Sequence, residues 1–214
     1  CEVIATALQI AKDKKCALSV MSFFPHPKTV ISNGKKRFDY IMPVSEKAKV
    51  LQKLGVDRFY VVEFDKAFAS MSPKSYVSKY ILDFYTIHAV AGYDFTYGYR
   101  GKGNINRLRY DANNLIEVTK VDKVEHQGRK ISSTWIRELL SEGNVEELPP
   151  ILGRDYETVG KWDGNSLNIL PYYTLPATGR YIVSIKTKND MLLSEIIVDK
   201  EKREVLLMSH GDII

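Results

Sequence analysis

Hydrophobic and polar positions follow two different periods in the first 150 residues of the chain. Apolar side chains three and four positions apart predict a helix at residues 2–14, and the helix starts at Ser45 and at Ser72-Pro73 predict two more, at 45–54 and 72–85. Runs rich in apolar residues predict strands at residues 17–24, 58–64 and 88–92, and an alternating run predicts a fourth strand at 116–124. Strands that alternate with helices of this length are typical of βαβ units, so the pattern predicts an α/β domain built on a parallel sheet.

The pattern changes after residue 152. Short alternating runs at 156–162, 166–170, 179–186, 191–198 and 204–208 are separated by Gly, Pro, Asn or Asp. Such runs are typical of antiparallel strands. We therefore predict two domains, an α/β domain at residues 1–152 and a small antiparallel β domain at 153–214, with Pro149 and Pro150 marking the boundary.

One polar turn stands out near the end of the first domain. Ser132, Ser133 and Thr134 follow a strand-like run and open a helix that should end at Gly143. The first N–H groups of a helix have no partner within it, and the helix dipole favours an anion there. Arg137, one turn into the helix, would point at the same place. The stretch predicts a polyphosphate site, and the alternative is an ordinary capped helix with a solvated arginine.

Two further clusters strengthen the phosphate interpretation. Aromatic and polar residues follow two other strands, at 24–27 and at 93–95. In open parallel sheets, ligands bind beyond the carboxyl ends of the strands. Three clusters at such ends favour a ligand site over a simple capped helix.

Charge and composition narrow the class of ligand. The chain has 214 residues, 44% of them hydrophobic and 27% charged, as in an ordinary globular protein. Residues 1–152 carry a net charge of +6 and residues 153–214 a net charge of −1. A basic first domain without a dense Lys/Arg block favours small phosphorylated ligands and makes nucleic acid a weak alternative.

The sequence also sets expectations about location. No apolar run approaches the roughly 20 residues that span a bilayer, and no signal peptide is recognisable. Two cysteines give neither a metal-binding spacing nor a disulfide framework. We expect a cytoplasmic protein that is not bound to a membrane and has no metal-ligating side chains; its oligomeric state is open.

Seven motifs carry a resemblance to a known family. They are Phe24-Pro25-His26-Pro27, Leu54-Gly55-Val56-Asp57, residues 68–73, residues 90–98, residues 101–104, Lys130 to Thr134 with Arg137, and Leu152-Gly153-Arg154. In this order they resemble the FMN adenylyltransferase module of bacterial bifunctional riboflavin kinase/FAD synthetases. The resemblance implies a Rossmann-like nucleotidyltransferase domain. It also implies the reaction of ATP with FMN to give FAD and pyrophosphate, with Mg²⁺ accompanying ATP.

The resemblance also implies which residues meet ATP. Ser132, Ser133, Thr134 and Arg137 match the triphosphate-binding turn of the family, and Ser133, Thr134 and Arg137 become the candidate catalytic residues. Lys130 is a weaker candidate for the same phosphates, its alternative being a solvated lysine.

Other strand ends supply the remaining candidates. Asp94, with Gly92, would lie beside the nucleotide ribose or an Mg²⁺-bound water, or Asp94 simply forms a turn. His26 would position FMN or form a structural turn. Aromatic residues suited to stacking on the flavin include some that are simply core. With His26, the candidates for FMN are Phe24, Phe68, Tyr93, Phe95 and Asn104.

Two departures from the family affect the expected activity. Members carry a Gly-Phe-Asp-Gly-x-His-x-Gly-His segment before their first helix, and this sequence begins with the part that matches that helix. We expect poor catalysis unless a longer native chain supplies the two histidines. No Pro-Thr-Ala-Asn segment occurs, although the family's kinase barrel carries one. The small β domain therefore resembles a shrunken barrel, and we expect no riboflavin kinase activity.

Two alternatives to FMN adenylyl transfer remain open at this point. One is adenylyl transfer to another phosphorylated acceptor, such as a pantetheine phosphate or nicotinate mononucleotide. The other is a non-catalytic regulatory protein that binds flavin nucleotides.

Overall fold

The computed structural model describes residues 2–32, 38–164, 166–187 and 190–208. The chain forms two compact units. Unit 1 comprises Cys1–Phe38 and Val44–Val124, and unit 2 comprises Asp39–Pro43 and Glu125–Ile214. The predicted domain boundary at 152/153 lies inside unit 2 and stays a prediction.

Unit 1 alternates helices with short strands. Its elements are α1 (Glu2–Asp13), β1 (Ser19–Phe24), α2 (Pro27–Ile31), α3 (Val44–Lys53), β2 (Arg58–Glu63), α4 (Lys66–Ala69), α5 (Pro73–Val77), β3 (His88–Gly92), β4 (Thr96–Tyr97), β5 (Gly103–Asn104), α6 (Leu108–Asp111) and β6 (Glu117–Val121). β1 pairs in parallel with β2, and β3 pairs in parallel with β6. The predicted α/β class with parallel strands is confirmed; in the part of the chain that the structure describes, the parallel strands form two separate pairs.

An apolar cavity of about 390 Å³ lies within unit 1. Its walls include Leu18 to Met21 around β1, all five residues of β3, and Val3, Ile4 and Ala7 of α1. Both parallel pairs thus contribute a strand to the same cavity, β1 from one pair and β3 from the other.

Aromatic packing organises the core of unit 1. Tyr76 stacks on Tyr97 with ring centroids 5.2 Å apart, and Tyr80 stacks on Tyr76 at 5.7 Å. The helix predicted at 72–85 is found as far as Leu82 but changes type within its length, because the α-helix ends at Val77 and Ser78–Leu82 forms a π-helix. This wider turn accompanies the contact of Tyr80 with the Phe68 ring, at 5.1 Å.

Unit 2 joins two short helices to antiparallel strands. Its elements are β7 (Glu125–His126), β8 (Arg129–Lys130), α7 (Ser133–Glu142), α8 (Leu148–Leu152), β9 (Gly160–Trp162), β10 (Leu167–Ile169), β11 (Gly179–Lys186), β12 (Met191–Asp199) and β13 (Glu204–Leu207). β11, β12 and β13 form one antiparallel sheet, and β9 pairs with β10. The predicted antiparallel strands are confirmed, but the run at 156–162 is a strand only at its last three residues.

The segment at residues 39–43 belongs to unit 2 through specific contacts. Tyr40 forms a bridge with Tyr173, and Arg203 donates a 2.8 Å hydrogen bond to the carboxylate of Asp39. The same guanidinium donates to the carbonyl oxygen of Tyr173 at 3.0 Å. Arg203 therefore links residues 39–43 to the segment around Tyr173.

Candidate active site

The start of α7 has the capped geometry that the sequence predicts. Ser132 is the N-cap, and its hydroxyl accepts a hydrogen bond from the Trp135 backbone N–H at 3.2 Å. Ser133 and Thr134 are exposed in the first turn. Gly143 ends the helix in the left-handed conformation, with φ of 85°. Exposed hydroxyls and helix N–H groups therefore lie together at one end of a ten-residue helix.

Arg137 folds back over the same turn. Its Nη1 donates to the carbonyl oxygen of Ser133 at 3.0 Å, and the side chain is half-buried. Burial lowers the pKa of the guanidinium, while the nearby Tyr156 opposes that shift. An arginine remains charged at neutral pH even so. The structure thus places Arg137 against the backbone of the first turn of α7, the turn that carries the Ser133 and Thr134 hydroxyls.

A hairpin that the sequence analysis missed precedes this turn. β7 and β8 pair in antiparallel fashion around Gln127 and Gly128, which have φ of 49° and 76°. The Arg129 guanidinium lies over the Trp135 ring at 4.7 Å and forms an ion pair with Glu138. Arg129 therefore connects the hairpin to α7, and Lys130 is the last residue of β8. The glycine after Gln127 was the available signal, but two-residue strands leave almost no hydrophobic pattern.

In unit 1, Gly92 and Asp94 lie in a tight turn at the end of β3. Phe95 N–H donates to the Gly92 carbonyl at 3.0 Å, and Tyr93 N–H donates to the Val121 carbonyl at 2.9 Å. A Cβ at residue 92 would lie only 3.3 Å from Oδ1 of Asp94. The lack of a side chain at Gly92 therefore makes room for the Asp94 carboxylate.

His26 has a clear structural role at the end of β1. A cis peptide bond joins Phe24 to Pro25, and the Nδ1 of His26 accepts the Lys28 N–H at 3.2 Å as the cap of α2. Its ring stacks on Phe38 with centroids 3.5 Å apart and an interplanar angle of 16°. Contact of His26 or of Phe24 with FMN stays a prediction.

Two of the aromatic candidates are packed into the core of unit 1. Phe68 contacts Phe23 and Tyr80, each at 5.1 Å, and Phe95 stacks on Tyr97 at 5.7 Å. Tyr93, by contrast, is 38% exposed. Of the aromatic candidates, Tyr93 is therefore the one with the most surface to offer a ligand.

Asn104 is the last residue of β5 and shapes the turn that follows it. Its Oδ1 accepts hydrogen bonds from the backbone N–H groups of Asn106 and Arg107 at 3.1 and 3.3 Å. Ile105 N–H donates to the Phe95 carbonyl at 3.3 Å, which brings Asn104 close to Phe95 along the backbone. The structure thus groups Gly92, Asp94, Phe95 and Asn104.

The described ranges contain neither a cluster of metal-binding side chains nor a membrane-spanning helix. No group of three or more His, Cys, Asp or Glu side chains comes together there in a way that could hold a metal ion. Within the same ranges, every helix is too short or too polar to cross a lipid bilayer.

Comparisons with known proteins find relatives described as riboflavin kinase/FMN adenylyltransferases and FAD synthetases. The bifunctional riboflavin kinase/FMN adenylyltransferase of Bacillus subtilis (strain 168) is 37% identical over 203 residues, which are 89% of this chain and 64% of that protein. The FAD synthetase of Listeria monocytogenes serovar 1/2a is 30% identical over 184 residues, covering 84% of this chain and 73% of its own length. The chain thus spans 64% of the bifunctional relative.

A solved structure agrees over the whole chain. It is described as a macrolide-efflux protein from Streptococcus pneumoniae and superposes with a TM-score of 0.84 at 26% identity, covering 100% of this chain and 82% of its own. The sequence of residues 1–135 matches the FAD synthetase family. With this match, and with a relative of the same description at 30% identity, the chain belongs to the FAD synthetase family.

Proposed function

We propose that this chain is an FMN adenylyltransferase, which transfers AMP from ATP to FMN and releases FAD and pyrophosphate. The match of residues 1–135 to the FAD synthetase family is the observation that carries the proposal. The capped start of α7, with Arg137 folded over it, supports it independently, because that geometry suits a polyphosphate.

The chemistry requires alignment and charge neutralisation. A phosphate oxygen of FMN forms a bond to the α-phosphorus of ATP, and the bond from that phosphorus to the oxygen bridging to the β-phosphate breaks. Pyrophosphate leaves with the negative charge. No general base is needed, because a phosphate monoester is already ionised near neutral pH. The protein must hold two anions in line and stabilise the charge that develops on the leaving group.

We assign the binding of the leaving pyrophosphate to the start of α7. Ser132, Ser133, Thr134 and Arg137 would bind the β- and γ-phosphates, with Lys130 as an additional cation. The exposed hydroxyls of Ser133 and Thr134 support this assignment, as does the start of a helix, where the first N–H groups have no acceptor within the helix. Each charge-assisted hydrogen bond would contribute about 1.5–3 kcal/mol.

We assign the flavin and the nucleotide to the strand ends of unit 1. Gly92 and Asp94 would lie beside the nucleotide, and the proposed FMN-binding residues are Phe24, His26, Phe68, Tyr93, Phe95 and Asn104. Exposed Tyr93 is the best supported stacking residue of this set. Phe68 and Phe95 would act chiefly as the wall behind it, since both pack against other aromatic rings.

We propose that Mg²⁺ enters with ATP, coordinated by phosphate oxygens and water. The described residues contain no cluster of metal-binding side chains that would form a resident metal site. When bound, the ion would neutralise phosphate charge. We also propose a cytoplasmic location, where ATP and FMN are both present.

The test uses the full-length protein that carries this chain. It is incubated with Mg²⁺ and ATP and, in separate tubes, with FMN, riboflavin, nicotinate mononucleotide or phosphopantetheine, and the products are separated by chromatography. FAD from FMN is the expected result. Tight FMN binding without FAD would favour the regulatory alternative, and a product from another acceptor alone would refute FMN as the substrate. For the 214-residue chain alone, we expect no FMN from riboflavin, because it has no Pro-Thr-Ala-Asn segment.

A further inference from the structure

Lys47, in the first turn of α3, is a half-buried lysine whose partner is a neutral hydroxyl. Its Nζ donates a 3.2 Å hydrogen bond to Oγ of Ser22 on β1. Among the residues that the structure describes, no carboxylate forms an ion pair with this ammonium within 4.0 Å. Lys49, two positions along the same helix, differs: it is 66% exposed and pairs with Glu46 at 2.8 Å.

Without a ligand, the surroundings of the Lys47 ammonium destabilise the folded state. Removing a cation from water without a counter-charge costs free energy, and burial lowers the pKa of the Lys47 ammonium. The positive end of the α3 dipole adds to this cost, because Lys47 is the fourth residue of the helix. A methionine would fill similar space without either penalty. An anionic ligand would supply the missing counter-charge.

The position of Ser22 indicates where that ligand lies. Side chains two positions apart on a strand point to the same face, so Ser22 shares a face of β1 with Phe24. The two residues are about 6.6 Å apart along the strand, at 3.3 Å per residue. Ser22 is thus close to the carboxyl end of a parallel strand, where such sheets bind their ligands.

We propose that Lys47 and Ser22 bind the phosphate group of FMN. This inference rests on the proposed function, in which the triphosphate of ATP is assigned to α7 and the phosphate of FMN needs its own site. The ammonium has three N–H donors and uses one on Ser22, which leaves two for phosphate oxygens. The Ser22 hydroxyl accepts from Lys47, so its own hydrogen is available for a further bond to the phosphate.

The test compares FMN with riboflavin, which lacks the phosphate. Dissociation constants are measured by quenching of flavin fluorescence for wild type, Lys47→Met and the matched control Lys49→Met. We expect Lys47→Met to weaken FMN binding about 10- to 100-fold and to leave riboflavin binding unchanged. Ser22→Ala should weaken FMN binding less. Lys49→Met should resemble wild type, because Lys49 is exposed and paired on the surface.

Thermal unfolding separates a ligand role from a packing role. If Lys47 serves the ligand, Lys47→Met should unfold at the same or a higher temperature than wild type, since the buried charge is gone. A lower unfolding temperature with equal losses for both flavins would assign a packing role and overturn the inference. Loss of ATP binding with FMN binding intact would also overturn it.

The inference and the proposed function can fail separately. If wild type makes FAD but Lys47→Met binds FMN as Lys49→Met does, the inference is wrong and the function stands. If wild type binds no FMN, both are wrong.

Discussion

A buried hydrogen bond between Tyr97 and Asp111 gives the sharpest stability prediction. The Tyr97 hydroxyl donates to Oδ2 of Asp111 at 2.6 Å, and both residues are buried, at 4% and 7% exposure. Arg107 donates to both carboxylate oxygens, at 2.9 and 2.7 Å. Burial alone would raise the pKa of Asp111, but the hydrogen bonds from Arg107 and Tyr97 outweigh it and hold that pKa below its usual range.

Tyr97→Phe removes the hydroxyl and keeps the ring. A hydrogen bond to a charged group contributes about 1.5–3 kcal/mol, and Asp111 retains its two bonds from Arg107. We therefore expect the lower part of that range, about 1.5–2 kcal/mol off the free energy of unfolding. For a chain of this size this corresponds to a fall of about 3–8 °C in Tm.

Calorimetry is the suitable assay, because it follows the transitions of both units. Tyr110→Phe is the matched control, since Tyr110 is 74% exposed and its loss should change Tm little. A Tyr97→Phe variant as stable as the control would refute the proposed magnitude.

Acid provides a second check on the same bond. A carboxylate whose pKa is lowered by folding stabilises the protein above its unfolded pKa, and this stabilisation is lost as pH falls through the folded pKa. The difference in the free energy of unfolding between wild type and Tyr97→Phe should therefore be constant between about pH 5 and 7. It should shrink below about pH 4. A difference that did not change in acid would show that the Asp111 charge contributes nothing to it.

Three further predictions test the site and its supports. Arg137→Ala should raise the KM for ATP about tenfold or more and leave FMN affinity unchanged. The control is Arg180→Ala, which replaces an exposed arginine of unit 2. Equal losses for both ligands would contradict the triphosphate assignment. Ser132→Ala should lower the free energy of unfolding by about 1 kcal/mol in urea titrations, and Ser132→Asp should restore the cap but weaken ATP binding by charge repulsion. Gly103→Ala should destabilise unit 1 by about 1–3 kcal/mol in calorimetry, because the new Cβ would overlap the Tyr97 ring; an unchanged Tm would mean that the ring can move aside.

Local sequence pattern was sufficient for elements that have a clear period or cap. The strands predicted at 88–92 and 179–186 are found with those bounds, and the helix predicted after Ser132 begins and ends where its cap and Gly143 indicate. In each case, the residues that decide the structure are neighbours in sequence. The position of Arg137 over the first turn of α7 follows from the same local pattern, since Arg137 is one helical turn from Ser133, while the phosphate chemistry assigned to this turn stays a prediction.

Features that depend on distant residues could not be read in this way. The π-helix after Val77 accompanies a contact of Tyr80 with Phe68, twelve residues earlier in the chain. The partnership of Lys47 with Ser22 joins residues that are 25 positions apart. Nothing in the sequence pattern around these two residues of α3 distinguishes Lys47 from Lys49; their burial in the structure does.

The packing of Arg129 on Trp135 gives the protein a built-in optical probe. The chain has two tryptophans, Trp135 and Trp162, and both belong to unit 2. A guanidinium lies 4.7 Å from the Trp135 ring, and the backbone N–H of the same residue is bonded to the Ser132 cap. Indole emission therefore monitors the surroundings of this helix start, and a variant with Trp162 replaced by Phe would isolate that signal. Titration with ATP and titration with flavin could then be followed at separate wavelengths in one cuvette.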